Sequence, residues 1–302
     1  MRTVYVLLTM DCETARSDLA PNAIRMSGSG PADYEESARS IFGYAETAAT
    51  YGYPVTFLAH PEVAVENADL LLDLRDRGAC LGLHVHPYKL RHRKYQHDLG
   101  AYSAGEQSGI VSGAMHVWES ALGHPPRYFR AGYFSANDQT FGVLSDLGFA
   151  GGSLSIPGRV LPGHHSLWAG AENYSHRAHH QCRLTAGESD FINVPVSVAF
   201  ERPVSRGHAG EQGHEWLYVP HRYDHAAVIR DVLDRFTLDK PRFPVIVTDS
   251  HNDQDYLNTQ HPARLNLERI LGTILDTCTR MGMRPEGITL DALCRQVLED
   301  LR

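Results

Sequence analysis

The chain has 302 residues, of which 42% are hydrophobic and 21% are charged. This composition predicts a sizeable buried core and excludes an intrinsically disordered chain. The formal net charge of −8 gives no basic face of the kind that nucleic-acid-binding proteins carry, so we expect no nucleic-acid partner. The one basic run, residues 89–94 (KLRHRK), is short and is typical of a solvated loop.

The sequence shows neither a membrane span nor a secretory signal. The apolar run at residues 3–9 is about half the length of a signal peptide and ends on acidic residues. No stretch approaches the ~20 consecutive apolar residues that cross a bilayer. The five cysteines are scattered, odd in number and without a CxxC pair, which favours a reducing compartment. We therefore predict a soluble cytoplasmic protein without a membrane partner, and the oligomeric state stays open, with a homo-oligomer as one alternative.

Short apolar runs alternate with amphipathic stretches, which is the pattern of β/α units around a parallel sheet. Strands are predicted at residues 3–9, 55–58, 80–85, 128–130, 149–154, 191–196 and 245–248. Helices are predicted at residues 34–50, 67–77, 106–122 and 139–147, the last capped by Asn137 or Asp138, and from residue 289 through Leu301. The fold class is α/β, a distorted (β/α)7 barrel, and we expect residues 1–302 to form a single domain.

Two polar stretches, residues 155–190 and 199–221, interrupt this alternation. Long excursions of this kind usually lie at the mouth of a barrel and shape a substrate site. Peripheral decoration is the alternative interpretation, and it is as strong for the second stretch.

Four groups of polar residues follow predicted strands, where the active sites of barrels form. The first is Asp11 with Glu13, a pair in which one acid can bind a metal while the other takes a proton. Acids after a strand also commonly cap the next helix. The second is His84 with His86, whose side chains share one side of a strand because side chains alternate, a geometry that suits a divalent ion.

The other two groups supply single polar residues. Arg130 can pair with a catalytic carboxylate and hold it ionised, and Gly132 permits close approach of backbone N–H groups to an oxyanion. His251 lies just beyond the seventh strand and can protonate a leaving amine near neutral pH. Each group alone is a weak signal, and their convergence at strand ends of one barrel predicts an active site.

In order and spacing these groups resemble the motifs of the polysaccharide deacetylase (NodB-homology, carbohydrate esterase 4-like) superfamily, in a divergent branch. The segments that carry the resemblance are TMDCE at 9–13, GACLGLHVHP at 78–87, RAGY at 130–133, GSLSIP at 152–157 and VTDSH at 247–251. The sequence departs from the family in its D-x-E spacing and in Tyr88, which stands where most members have a second histidine.

The resemblance implies a catalytic base at Asp11, tuned by Arg130, and an acid at His251, with the backbone amide of Tyr133 helping to bind an oxyanion. It also implies one divalent metal ion on three ligands, with zinc as the first choice and iron, manganese, cobalt or nickel as alternatives. These ligands are Glu13, His84 and His86.

The implied function is metal-dependent hydrolysis of a non-peptide C–N bond, foremost deacetylation of an N-acylated sugar or sugar-containing metabolite. A small cyclic amide or ureide, as in an allantoinase, is the alternative substrate on the same fold, and the expected partner is a small molecule or oligosaccharide. A non-catalytic carbohydrate-binding protein and a non-haem iron oxygenase are the alternatives from other classes.

Overall fold

A computed structural model describes residues 2–204, 208, 210–220 and 224–300. The strands of the described chain are β1 (Arg2–Cys12), β2 (Val55–Ala59), β3 (Cys80–Val85), β4 (Tyr128–Ala131), β5 (Gly151–Gly152), β6 (Val160–Leu161), β7 (Ser166–Leu167), β8 (His176–His179), β9 (Cys182–Ala186), β10 (Ile192–Asn193), β11 (Val198–Pro203), β12 (His214–Tyr218), β13 (Val245–Asp249) and β14 (Met283–Gly287).

The α-helices of the same residues lie between and after these strands. They are α1 (Pro21–Met26), α2 (Tyr34–Ala49), α3 (Pro61–Glu66), α4 (Ala68–Asp76), α5 (Ala104–Leu122), α6 (Thr140–Asp146), α7 (His225–Asp239), α8 (Pro262–Arg280) and α9 (Leu290–Asp300). Short 3₁₀ turns at Pro87–Lys89 and Gly132–Phe134 follow β3 and β4 directly. No helix of the described residues is long and apolar enough to cross a membrane.

The main sheet contains a parallel core in the order β13-β1-β2-β3-β4-β5-β10. Beyond it, β12 runs parallel to β13 and β11 pairs antiparallel with β12, while β8 and β9 extend the other end. The strand β14 pairs with the N-terminal half of β1, whereas β2 pairs with its C-terminal half. The seven-stranded core with intervening helices confirms the predicted (β/α)7 class.

The two ends of the parallel core meet through the chain that follows β10. The Ser197 hydroxyl donates to the Val245 carbonyl at 2.9 Å and accepts from the Val247 amide at 2.9 Å, so this segment lies against β13. On its other side, the Val194 and Val196 amides bond carbonyls of the chain at β5 and beyond. Between the segment after β10 and β13, the hydrogen bonds of the Ser197 side chain therefore take the place of regular backbone pairing between strands. This irregular junction distorts the barrel.

Strand alternation separates two apolar clusters. Val6, Leu8 and Met10 of β1 pack with the surrounding helices, whereas Leu7 packs in a second cluster with inward residues of other strands and with α9. Because neighbouring residues of a strand point to opposite faces, Thr9 and Asp11 share the inward side of Leu7. The same alternation governs β3, β4 and β13.

All seven predicted strands are present, with two of them shorter than predicted. Only Gly151–Gly152 and Ile192–Asn193 form regular ladders in the fifth and sixth. Helices α1, α3, α7 and α8 and the strands β6 to β9, β11, β12 and β14 were not predicted. The prediction that Asn137 or Asp138 caps α6 is wrong, because the N-cap of this helix is Gln139. The Asn137 side chain instead accepts a hydrogen bond from the backbone amide of Gln139.

The two polar excursions contain strands rather than loops alone. The first includes β6 to β9, and the second includes most of β11 and all of β12, with residues 205–207, 209 and 221 of this second stretch outside the described residues. All five cysteines are free, in agreement with the absence of a predicted disulfide framework.

Candidate active site

The predicted site residues converge inside the barrel at the carboxyl ends of β1, β3, β4 and β13. Inward positions two residues apart place Asp11 at the end of β1 with Glu13 just after it, and His84 at the end of β3 with His86 just after it. Arg130 of β4 and His251 beyond β13 reach the same space, where Asp11 and His251 form an isolated parallel bridge. The structure thus brings together side chains that are up to about 240 residues apart in the sequence.

Glu13, His84 and His86 form a compact buried set whose ligand atoms lie within 4.8 Å of one another. Oε1 of Glu13 faces both rings, at 3.0 Å from Nε2 of His86 and 3.6 Å from Nε2 of His84. A second grouping of the described residues, formed by Asp11, Asp249 and His251, lies beside it. Arg130 already bonds both carboxylates of that second grouping, whereas in the first grouping Oε1 of Glu13 still faces two histidine rings, so the first is the better site for a cation.

The chemistry of the first set fits a divalent metal ion. Both ring nitrogens of His84 are buried, and neither has a hydrogen-bond partner among the described residues. A buried polar atom without a partner is costly, and a metal ion on Nε2 would satisfy it. Burial lowers the pKa of His84 to about 3, so this ring is neutral and able to bind a metal.

The charges around Glu13 keep it ionised although it is buried. Burial alone would raise its pKa, but the His86 and Lys89 charges outweigh burial and hold the pKa well below its usual range. In the same way, burial alone would lower the pKa of His86, and the Glu13 carboxylate outweighs it and raises that pKa. A metal ion would take the place of the proton that His86 otherwise shares with Glu13.

The His86 ring is flanked by a carboxylate at its far nitrogen and by Gly132 on its face. Its Nδ1 lies 3.6 Å from Oδ1 of the buried Asp98, whose Oδ2 is 2.8 Å from Nδ1 of His164. A carboxylate behind the far nitrogen is the usual support of a metal-binding histidine, and it leaves Nε2 directed at Glu13. On the ring face, a Cβ atom at position 132 would lie 2.1 Å from His86, so only glycine fits at Gly132.

Lys89 is buried, whereas the basic run that contains it predicts a solvated side chain. The basic run was expected to be solvated, and residues 91–94 are exposed, but the Lys89 side chain is fully buried. Its Nζ lies 2.8 Å from Oε2 of Glu13. The 3₁₀ turn that follows His86 carries this ammonium group back to the site.

Arg130 joins the base predicted at Asp11 to a second carboxylate. Its fully buried guanidinium donates from Nη1 to Asp11 and to Asp249, both at 2.9 Å, and to the hydroxyl of Thr9. On the other side of the guanidinium, Nε donates to the Ser153 carbonyl and Nη2 donates to the Ser153 hydroxyl. The single positive charge of Arg130 is therefore shared between the buried carboxylates of Asp11 and Asp249.

The two carboxylates bonded to Arg130 are both easier to protonate than ordinary aspartates. Burial raises the pKa of Asp11, and the charge of Arg130 opposes this only in part. Burial and the neighbouring Asp11 raise the pKa of Asp249 to about 6. Arg130 contacts Asp11 as the sequence predicts, while the raised pKa suits a group that must accept a proton.

Two neighbours set the positions of His251 and of Glu13. The Tyr218 hydroxyl lies 2.9 Å from Nδ1 of His251, which fixes the direction of the ring. The Asn252 side chain accepts from the Glu13 amide at 2.8 Å and donates to the Glu13 carbonyl at 3.1 Å. The chain after β13 thus holds the backbone of a candidate ligand that lies 239 residues earlier.

The backbone at Tyr133 is strained. Tyr133 and Phe134 have φ of 54° and 55°, a left-handed conformation that costs a non-glycine residue on the order of 1 kcal/mol or more. The Tyr133 ring stacks on His164 with centroids 3.8 Å apart, and the Tyr133 carbonyl accepts from Arg159 at 3.1 Å. Such strain concentrates at functional sites.

Asp249, Lys89 and Asp98 are site residues that the sequence interpretation did not single out. Asp249 precedes His251 by two positions, so the alternation that pairs His84 with His86 could have identified it. Lys89 was hidden in a basic run, and Asp98 lies in a polar loop without any pattern.

Comparisons with known proteins show the fold. No protein-family model and no curated protein matches the chain. A solved structure of a candidate polysaccharide deacetylase from Mycobacterium smegmatis matches with a TM-score of 0.61 at 14% identity, over 99% of this chain and 92% of that one. A candidate glycoside hydrolase/deacetylase from Parabacteroides distasonis matches with a TM-score of 0.65 at 10% identity, over 98% and 71%.

A third solved structure carries a different activity on the same fold. The structure of Puue allantoinase matches with a TM-score of 0.57 at 11% identity, over 97% of this chain and 89% of that chain. At these identities the likeness establishes architecture, and this architecture is the one that the sequence motifs predicted.

Proposed function

We propose that the protein is a metal-dependent hydrolase that cleaves a non-peptide amide C–N bond and removes the acyl group of an N-acylated sugar or sugar-containing metabolite. The observation that carries the proposal is the buried set Glu13, His84 and His86 beside the Asp11–Arg130 pair and His251. A metal-ligand set, a proton acceptor and a proton donor within one barrel mouth are the parts that amide hydrolysis requires. The fold shared with structures described as candidate deacetylases supports it.

The metal would be held by Oε1 of Glu13 and by Nε2 of each histidine. When bound, it would polarise the amide carbonyl and acidify a water molecule. A mixed histidine and carboxylate set accepts zinc, iron, manganese, cobalt or nickel, and zinc is our first choice.

The chain's own residues would carry the proton transfers. Asp11, held in place by Arg130, accepts a proton from the attacking water, and its raised pKa favours that transfer. His251, oriented by Tyr218, donates a proton to the departing amine. The Tyr133 backbone N–H, in its strained turn, donates to the oxyanion that develops on the substrate carbonyl.

The test measures amine release from N-acetylated mono- and disaccharides by the metal-reconstituted protein, beside Asp11→Asn and His251→Gln. We expect metal-dependent release that falls on the order of 100-fold or more in each variant. Full turnover by Asp11→Asn would contradict the assigned base. Binding of sugars without hydrolysis would support the non-catalytic alternative, and a requirement for iron(II) and O₂ would support an oxygenase.

Hydrolysis of a small cyclic amide or ureide is the second candidate function. The likeness to the allantoinase structure over nearly the whole length of both chains supports it. Ring opening of such a substrate uses the same base and the same acid, since only the tether between the carbonyl and the amine differs. Cyclic amides and ureides therefore belong in the same substrate panel, with ring opening in place of amine release as the readout.

A further inference from the structure

Lys89 makes contacts that the proposed chemistry does not use. Its ammonium group lies beside the candidate metal set with a side-chain exposure of 0%, and Glu13, to which it is paired, is 1% exposed. Burying a charge in this way is costly unless its hydrogen bonds are complete. The contacts of the buried Lys89 ammonium group therefore indicate its role in the site.

The hydrogen bonds of Lys89 are complete. An ammonium group has three donors, and Nζ has three acceptors, namely Oε2 of Glu13 at 2.8 Å and the carbonyl and hydroxyl oxygens of Ser29 at 3.1 and 3.0 Å. Ser29 is held in turn, since its hydroxyl also lies 2.6 Å from that of Ser27. The geometry is that of a fixed group rather than of a mobile surface lysine.

The position of Lys89 divides the two oxygens of the Glu13 carboxylate between two tasks. Oε2 is bonded to the ammonium group, whereas Oε1 faces His84 and His86 and also accepts from the Ser29 hydroxyl at 3.2 Å. A free carboxylate can bind a metal ion through one oxygen or through both. A metal ion on the two histidines would meet Oε1, since an approach to Oε2 would bring it beside the Lys89 ammonium group, a second positive charge.

We propose that Lys89 is a positioning residue that keeps Glu13 a one-oxygen metal ligand and thereby leaves coordination positions for water and substrate. This inference rests on the proposed function, because it requires that Glu13, His84 and His86 bind a metal. The same ammonium group places a positive charge beside the cation, so Lys89 weakens metal binding in return for an open site.

The test compares wild type with Lys89→Met, which has a similar side-chain volume and no charge. Cobalt(II) is used as the probe metal, because its visible absorption weakens as its coordination number rises. We expect the variant to show weaker visible bands, consistent with a second Glu13 oxygen on the metal. We also expect cobalt and zinc to bind about tenfold or more tightly in competition with a chelator, because the repulsive charge is gone.

Two further variants keep the result interpretable. Lys89→Arg retains the charge and the donors, so the cobalt spectrum should stay that of wild type. Lys89→Gln removes the charge but keeps N–H donors, and it is used if the methionine variant does not fold, with tighter metal binding again expected. An unchanged spectrum in Lys89→Met, or weaker metal binding in either neutral variant, would overturn the assignment of Lys89.

The outcome separates this inference from the proposed function. If the wild-type protein binds no cobalt, both the metal centre and the role of Lys89 fail together. If it binds cobalt and hydrolyses substrate while Lys89→Met has the wild-type spectrum and affinity, only the positioning role fails.

Discussion

Replacing Arg130 by methionine should destabilise the protein strongly, because it leaves two buried carboxylates without their cation. Arg130 bonds Asp11 and Asp249 at 2.9 Å and is itself 0% exposed. A pair of charges about 4 Å apart interacts by about 4 kcal/mol at an effective dielectric constant of about 20. Removal of one partner from a buried ion pair costs about 3–5 kcal/mol, which is the loss of unfolding free energy expected at pH 8.

The loss should depend on pH in a defined direction. The pKa of Asp249 is raised from 3.8 to about 6, and that of Asp11 is also raised, in both cases chiefly by burial. A group with a raised folded-state pKa contributes stability that is full below its unfolded pKa and is lost as pH rises through the folded pKa. Without Arg130 both pKa values should rise further. Protonation at pH 5 should therefore recover part of the stability that the variant loses at pH 8.

Urea unfolding followed by tryptophan fluorescence measures this effect, with a chelator present so that metal binding does not contribute. Arg130→Lys, which keeps one charge but loses the fork of donors, is the control and should lose less. The double variant Arg130→Met/Asp249→Asn should regain part of the loss, because one buried anion is removed. A loss below about 1 kcal/mol at pH 8, or equal losses at pH 8 and pH 5, would refute the reasoning.

Three further predictions concern the supports of the site. Gly132→Ala should displace the His86 ring and lower metal affinity about tenfold or more, measured by chelator competition; an unchanged affinity would contradict the close packing. Asp98→Asn should weaken metal binding about 10- to 100-fold, and wild-type affinity would argue against its support of His86. The pKa of Glu62 is lowered to about 2, since the charge of His60 outweighs burial. Stability from Glu62 is thus present above about pH 4.5 and lost towards pH 2, so Glu62→Gln should flatten acid unfolding, and identical acid curves would contradict this.

Alternation along strands explains why most of the site could be predicted from the sequence. The spacing of two between Asp11 and Glu13, and between His84 and His86, directs each pair inward once the strand is recognised. The carboxyl ends of parallel strands then bring the pairs together. The same rule applied to the segment around His251 would have added Asp249.

Lys89 and Asp98 could not be found in this way, because their positions depend on turns and loops. Lys89 reaches Glu13 only through the 3₁₀ turn after His86, and a basic run gives no sign of burial. Asp98 is placed by contacts with His86 and His164 from separate segments. Strands β11 and β12 were missed because their sequence lies within a polar stretch, where the local pattern is that of a loop.

Metal content of the purified protein tests the central claim most directly. Mass spectrometry of wild type, Glu13→Ala, His84→Ala and His86→Ala should show about one divalent ion per chain in wild type, lost or strongly reduced in each variant. His176→Ala, which removes a buried histidine on β8 outside the candidate ligand set, is the matched control and should keep its metal. A wild-type protein that contains no metal and takes up none on reconstitution, or variants that keep a full complement, would contradict the account.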